Sequence, residues 1–210
     1  MLGLDREASG EIRISVDPMT GDVLLAPVFA EFCRIYPQVY LEISLTFEIE
    51  AISKLETDIA IRHAAEITDD VVARKLQALP IGIYASKDYT EASFPPKGRQ
   101  GQGLDFIGYG PVPELMDWIE RSPFPQANIR HEVLDPEMHL HLVRAGAGMS
   151  FLPTWCAQVF PELQRVPGSM LDETRKTWVV FHEDLRRIKR VRIFVDFLAQ
   201  SLIAAGRNAR

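Results

Sequence analysis

GEIRISVDPMTGDVLLAPVFAEFCRIYPQVYLEISL, residues 10–45, changes its hydrophobic period twice. Ile12, Ile14 and Val16 alternate, the period of a strand with one face buried. Asp17-Pro18 then ends the extended run, because proline fixes its own φ and restricts the residue before it. Leu24, Val28, Phe32 and Ile35 follow at helical spacing as far as Pro37. Pro27 falls inside that helix, so either Asp22 caps it and leaves Pro27 near the first turn, or the helix is kinked. Leu41, Ile43 and Leu45 then restore the alternation on one side of a second strand.

Outward from this strand, helix and strand the same alternation continues. EIEAISKLE (48–56) reads as a short helix leading into the strand DIAIR (58–62), so three strands and two helices follow one another as a parallel, doubly wound α/β unit. LPIGIYAS (79–86) is a further strand. The Gly/Pro-rich SFPPKGRQGQG (93–103) is a loop, since a strand resumes at DFIGYG (105–110). A second lobe then runs through a helix at PELMDWIER, a strand at NIRHEVLD, a helix at PEMHLHLVRAGAG, a strand at MSFLP and a helix at TWCAQVFPEL. KTWVVFHE (176–183) is a strand, and the long final helix carries Ile188, Val191, Val195, Leu198 and Leu202 on one stripe. Strand 79–86 leads out of the first lobe and strand 176–183 leads back. Two crossings predict two hinged lobes: residues 11–84 with 183–210, and residues 85–182, with 1–10 as a linker remnant.

Composition narrows the function. The chain has 210 residues, 47% hydrophobic and 25% charged, as expected of a folded globular protein. Its net charge of -6 argues against a grip on phosphate backbones, which needs Lys and Arg clustered on one face. The first residues lack the apolar core of a secretory signal, and no window reaches the roughly 18 apolar residues of a membrane span. A cytoplasmic location without membrane contact is expected. Cys33 and Cys156 are far apart and outside any CxxC pair, so they read as buried thiols.

Catalytic and metal motifs are missing. There is no HExxH, Walker A loop or GxSxG, and GYGPVP lacks the full GxGxxG spacing. His139 and His141, two apart in a helix, fall on different faces and do not pair on a metal. Ser15, Thr20 and Ser150 have no base at a recognisable spacing.

In open α/β sheets small ligands bind beyond the carboxyl ends of the strands. The candidate site residues are those that sit there. Arg62 and His63 follow DIAI, where arginine offers a fork of donors and histidine a group that titrates near neutrality; the competing reading is a surface ion pair and a solvated ring. Asp17, Pro18, Met19 and Thr20 lie between the first strand and helix, and Thr46 and Phe47 end the second strand. Gly108, Tyr109 and Gly110 end the first strand of the second lobe. With Gly148 in the later glycine run, these glycines would let a backbone approach a ligand, or serve turns alone.

The order and spacing of "F...YP.V.LE", "D.AIR", "V.AG.G...LP" and "RV..F.DFL" over about residues 10–204 resemble the effector-binding domain of LysR-type transcriptional regulators. The resemblance implies a periplasmic-binding-protein-like fold of type II, two Rossmann-like lobes joined by two crossing hinge strands, with a small-molecule effector between them. It also implies a homodimer or higher homo-oligomer, with helix 22–35 as a candidate surface, and contact with DNA only through an N-terminal winged helix-turn-helix that is absent from this chain. No cofactor or metal is implied. The family often has Ser or Thr where Asp17 stands. An acid there already fills the helix-terminal amides that would cradle an effector carboxylate, which favours a polar or cationic ligand, or one that reaches Arg62. Two other classes use this bilobal architecture: a transporter's solute-binding protein, and an enzyme, for which Asp17 with His63 is the one acid–base pair to propose.

Overall fold

The structure is a computed structural model that describes residues 8–46, 57–68, 71–95, 98–109 and 113–208. The chain divides into two compact units, Met1–Leu79 with Thr174–Arg210, and Pro80–Glu173. The expected divisions at 84/85 and 182/183 therefore move to 79/80 and 173/174. The reason is strand pairing: residues 176–181 hydrogen-bond within the first unit's sheet, and residues 81–86 within the second unit's.

The first unit is a five-stranded sheet of β1 (Gly10–Val16), β2 (Val39–Leu45), β3 (Ile59–Ala64), β4 (Val72–Ala78) and β10 (Lys176–Phe181), in the order β2-β1-β3-β10-β4. β1, β2 and β3 are parallel, as the alternation of strands and helices requires, whereas β10 runs antiparallel to both β3 and β4. The sheet is therefore mixed. Its apolar face carries Ile12, Ile14, Val16, Ile59, Ile61 and Val179, each at most 1% exposed, and packs on α1 (Ala26–Ile35) and α6 (Lys189–Asn208). Each such side chain contributes about 1.5–3 kcal/mol. Phe32 closes this core, edge-on to Phe194 at 5.0 Å and to Phe197 at 5.4 Å. Val191, Val195, Leu198 and Leu202 are buried as their stripe requires.

The helix after β1 starts earlier than an Asp22 cap implies. Residues 18 and 19 are already helical, and Asp17 Oδ1 accepts the Thr20 amide at 3.0 Å, so Asp17 is the capping acid and Pro18 takes the first helical position. Thr20–Leu25 form a π turn immediately before Pro27. Proline cannot donate to the carbonyl four residues back and its ring crowds that carbonyl; a wider turn just upstream accommodates both effects. Gly21 is needed here, since a Cβ would lie 2.4 Å from Leu45 Cδ2 and 3.0 Å from Val16 Cγ1.

The second unit has an antiparallel sheet, β8-β5-β9, of β5 (Ile81–Ser86), β8 (Ser150–Pro153) and β9 (Leu163–Arg165), and a parallel pair, β6 (Asp105–Gly108) with β7 (Asn128–Glu132). An isolated bridge from Phe106 to Met149 links the two. Its helices are α2 (Lys87–Ser93), α3 (Pro113–Arg121), α4 (Pro136–Arg144) and the single turn α5 (Cys156–Val159). Ile83, Leu104, Phe106, Ile119, Phe124 and Met149 make its core.

Other expectations change. VARKLQA and LQR are strands that sequence reading passes over. On β4 only Leu76 is buried, because it is an edge strand with charged residues outward, and β9 has three residues. The helix expected through Pro161 stops at Val159. Ile43 and Leu45 are 40% and 42% exposed rather than buried, and Cys33 is exposed while Cys156 is buried. The helix expected at 48–56 lies outside the described residues.

Candidate functional site

Three elements of the first unit meet at the carboxyl ends of β1 and β3. Asp17 follows β1, Thr20 opens the π turn, and His63 is the last residue but one of β3. His63 Nε2 lies 2.7 Å from Asp17 Oδ2 and 2.8 Å from Thr20 Oγ1. Because one nitrogen is shared between two oxygens, the approach to the carboxylate is an electrostatic contact rather than a second aligned hydrogen bond. The side chains of His63 and Asp17 are 15% and 17% exposed. Burial alone would raise the Asp17 pKa; His63 beside it, with the Thr20 amide and hydroxyl, outweighs burial and holds the carboxyl below its ordinary value. Thr177, fully buried and directly across the antiparallel pair from His63, adds a hydroxyl to the same face. Neither its Oγ1 nor His63 Nδ1 has a hydrogen-bond partner among the described residues.

Arg62 does not join this cluster. Successive strand residues point to opposite faces, and Arg62 turns to the face of Ser15, donating to its Oγ at 2.8 Å and to the Ile61 carbonyl at 3.3 Å. Ser15 is fully buried, so the guanidinium satisfies a hydroxyl that would otherwise lie unpaired. Thr46 stands next to the cluster through its amide, which donates to Val16 O at 2.9 Å. Met19 is buried and Pro18 half-buried, as parts of the helix start. Phe47 lies outside the described residues.

The second unit gathers a different group. The Tyr109 ring stacks on His139 at 3.7 Å with 5° between planes. His139 is fully buried, its Nε2 is 2.8 Å from Ser150 Oγ, and that hydroxyl donates to the Ile107 carbonyl at 3.0 Å. Since the hydroxyl proton is committed to Ile107, Nε2 carries the ring proton and donates to Ser150. Burial pushes the His139 pKa down to about 4, and the nearby Gly108 carbonyl offsets this only in part. Gly108 is buried against Leu115 and Ile129. At Gly148 a Cβ would lie 2.8 Å from the Asp105 carbonyl oxygen, so this glycine serves the close packing of β8 against β6. Gly110 lies outside the described residues.

Sequence reading missed His139, Ser150 and Thr177 as neighbours of these positions. Only β3–β10 pairing and the packing of α4 on β6 and β8 reveal them. The pairing of Asp17 with His63 was visible as two strand-end positions, yet nothing in the sequence gives the shared nitrogen. That detail restricts the chemistry. A nucleophile relay needs the acid on one imidazole nitrogen and the hydroxyl on the other, whereas Thr20 and Asp17 both approach Nε2. Among the described residues no group of three His, Cys, Asp or Glu side chains could hold a metal ion.

The profile of the family described as LysR substrate binding domain matches residues 5–203. The uncharacterized HTH-type transcriptional regulator YraN of Bacillus subtilis strain 168 is 26% identical over 207 residues, which covers 93% of this chain and 68% of that protein. Among solved structures, the regulatory domain of CrgA, a LysR-type transcriptional regulator from Neisseria meningitidis, superposes with a TM-score of 0.79 at 22% identity, covering 93% of this chain and all of that one. Full-length AphB, the Vibrio cholerae virulence activator of the same family, gives 0.71 at 20% identity and covers 93% of this chain and 69% of that chain. The chain belongs to the LysR substrate binding domain family, with its periplasmic-binding-protein-like type II fold, and is the effector-binding domain of a LysR-type transcriptional regulator.

Proposed function

We propose that this domain senses a polar or cationic small molecule, with Asp17, Thr20, His63 and Thr46 as the candidate site residues of the first unit and Gly108 and Tyr109 as those of the second. The observation that carries the reading is the capping carboxylate of Asp17. It occupies the Thr20 amide and is held ionised, so a ligand's own carboxylate has neither free donor nor favourable charge at that point. A hydroxyl, amide or ammonium group meets acceptors there instead.

Sensing works through differential affinity. A ligand that binds two arrangements of the domain equally moves neither, so the effector must favour one arrangement of units or subunits and thereby the placement of DNA-binding heads attached to it. Contact with DNA is assigned to an N-terminal domain outside this chain, in keeping with the net charge of -6. The working assembly is a dimer or higher homo-oligomer in the cytoplasm. Its candidate surface combines α1 with the edge strand β2, where Tyr40 is 65% exposed beside Ile43 and Leu45. No helix among the described residues is long and apolar enough to cross a membrane.

Binding without turnover is the expected activity, since the Asp17–His63–Thr20 geometry does not make the relay an enzyme reading requires. Calorimetric titration of the chain against polar and cationic metabolites, with their carboxylate analogues, tests the assignment. A saturable heat that disappears in His63→Ala supports it; a ligand whose binding ignores both Asp17→Ala and His63→Ala refutes it.

A further inference from the structure

The first unit also holds a groove of about 630 Å³ at the other end of its sheet. Phe181, at its floor, pairs with Ile59 at the start of β3, whereas Thr177 pairs with His63 near its end. Four strand residues, about 13 Å, separate the two places along β10. The floor is apolar, with Val72 of β4 beside Val191 and Val195 of α6. Its rim is cationic: Arg74, Arg186, Arg187 and Arg192 face only Glu183 and Asp196.

Two of these cations are already matched. Arg74 pairs with Asp196, and Arg186 with Glu183 at 3.2 Å. Arg187 and Arg192 have no carboxylate within ion-pair distance among the described residues. Both flank the start of α6, whose first turn has no acidic residue, so their charges add to the positive end of the helix dipole instead of opposing it. In a chain of net charge -6 this is a local excess of the opposite sign, set over an apolar floor. The volume falls in the range of about 300–1,000 Å³ that small-molecule sites occupy. An inorganic anion would leave the apolar floor unused, and an acidic polypeptide would need a far broader surface.

We propose that this groove is a second ligand site, independent of the one beside Asp17, that takes a small organic anion: a carboxylate between Arg187 and Arg192 with an apolar body on Val72, Phe181, Val191 and Val195. Guanidinium groups suit this role because they stay charged and match a carboxylate with paired donors.

Amide resonances of the whole chain, titrated separately with hexanoate, hexanamide and inorganic phosphate, test it. Hexanoate should shift amides of residues 72–74 and 183–196 saturably, and less so as ionic strength rises. The doubly substituted R187A/R192A should raise the hexanoate Kd by about tenfold or more and leave the thermal transition in place, since both side chains are exposed. The proposal is overturned if hexanoate gives no saturable shift, if hexanamide or phosphate shifts the same amides equally, or if R187A/R192A binds hexanoate as tightly as the parent.

Discussion

His63 and His139 have the same side chain in two electrostatic settings. His63 ends a strand of the first unit beside an ionised carboxylate and a hydroxyl. His139 lies inside the second unit between a tyrosine ring and a serine hydroxyl, with no charged partner among the described residues, and is held neutral by burial. The first arrangement stores charge at a strand end; the second stores an unsatisfied nitrogen in the core. Two things separate them: the His63 side chain keeps 15% of its surface exposed whereas His139 is fully buried, and a carboxylate stands 2.7 Å from His63 whereas His139 has only a hydroxyl and a ring beside it.

The largest expected effect sharpens the neutral side of that comparison. The His139 pKa falls from 6.5 to about 4 on folding. The unfolded chain therefore binds a proton that the native state refuses between those values, so stability is complete above 6.5 and declines as pH falls toward 4, by about 3 kcal/mol in total. Urea unfolding across this window should show the slope in the parent and a flatter one in His139→Phe, which keeps a ring against Tyr109 without a titrating nitrogen. Equal slopes would mean that burial of His139 is not what sets its protonation.

A smaller loss is expected from the backbone beside it. Gly148→Ala places a methyl 2.8 Å from the Asp105 carbonyl, which is backbone and cannot swing away, so about 1–3 kcal/mol should be lost in thermal unfolding. Gly21→Ala meets mainly the Leu45 side chain and should cost less. The reverse order would show that β6 and β8 yield more readily than the end of β2.

On the charged side, Asp17→Ala removes a helix cap and the partner of His63, and about 1–2 kcal/mol should go with it at neutral pH. Asp17→Asn keeps a capping oxygen and should recover part of that. Because the Asp17 pKa is depressed, its contribution is present above the unfolded value near 3.8 and disappears as pH falls through the lower native one. Parent and Asn variant should then converge in acid; a gap that persists there would assign the effect to packing. Smallest of all, Thr177→Val replaces a buried hydroxyl that has no partner among the described residues, and should be neutral or stabilising by up to about 1 kcal/mol. A clear destabilisation would reveal a hydrogen bond between the Thr177 hydroxyl and its surroundings.

Sequence reading reached β1, the helix face around Phe32, the stripe on α6 and the alternation of the second unit, because burial repeats with the period of each element. It failed where periodicity is silent. β4 has a single buried side chain and an outward row of charges, so no alternation marks it, yet it forms the edge next to β10. Ile43 and Leu45 alternate correctly and are nevertheless exposed, since alternation says which residues share a face, not whether that face is covered.

Of the candidate site, Asp17, Thr20 and His63 come together as their strand-end positions suggest. Arg62, next to His63 in sequence, turns to Ser15 on the opposite face. Local rules put each residue at the correct end of its strand, and they also give the family, because the order of strands, helices and glycines is a one-dimensional property. The sharing of one imidazole nitrogen by two oxygens, the stacking of Tyr109 on His139 and the gathering of Arg187 and Arg192 above an apolar groove depend on elements far apart in the chain. Only packing in three dimensions fixes those distances, and with them the charge state each site carries.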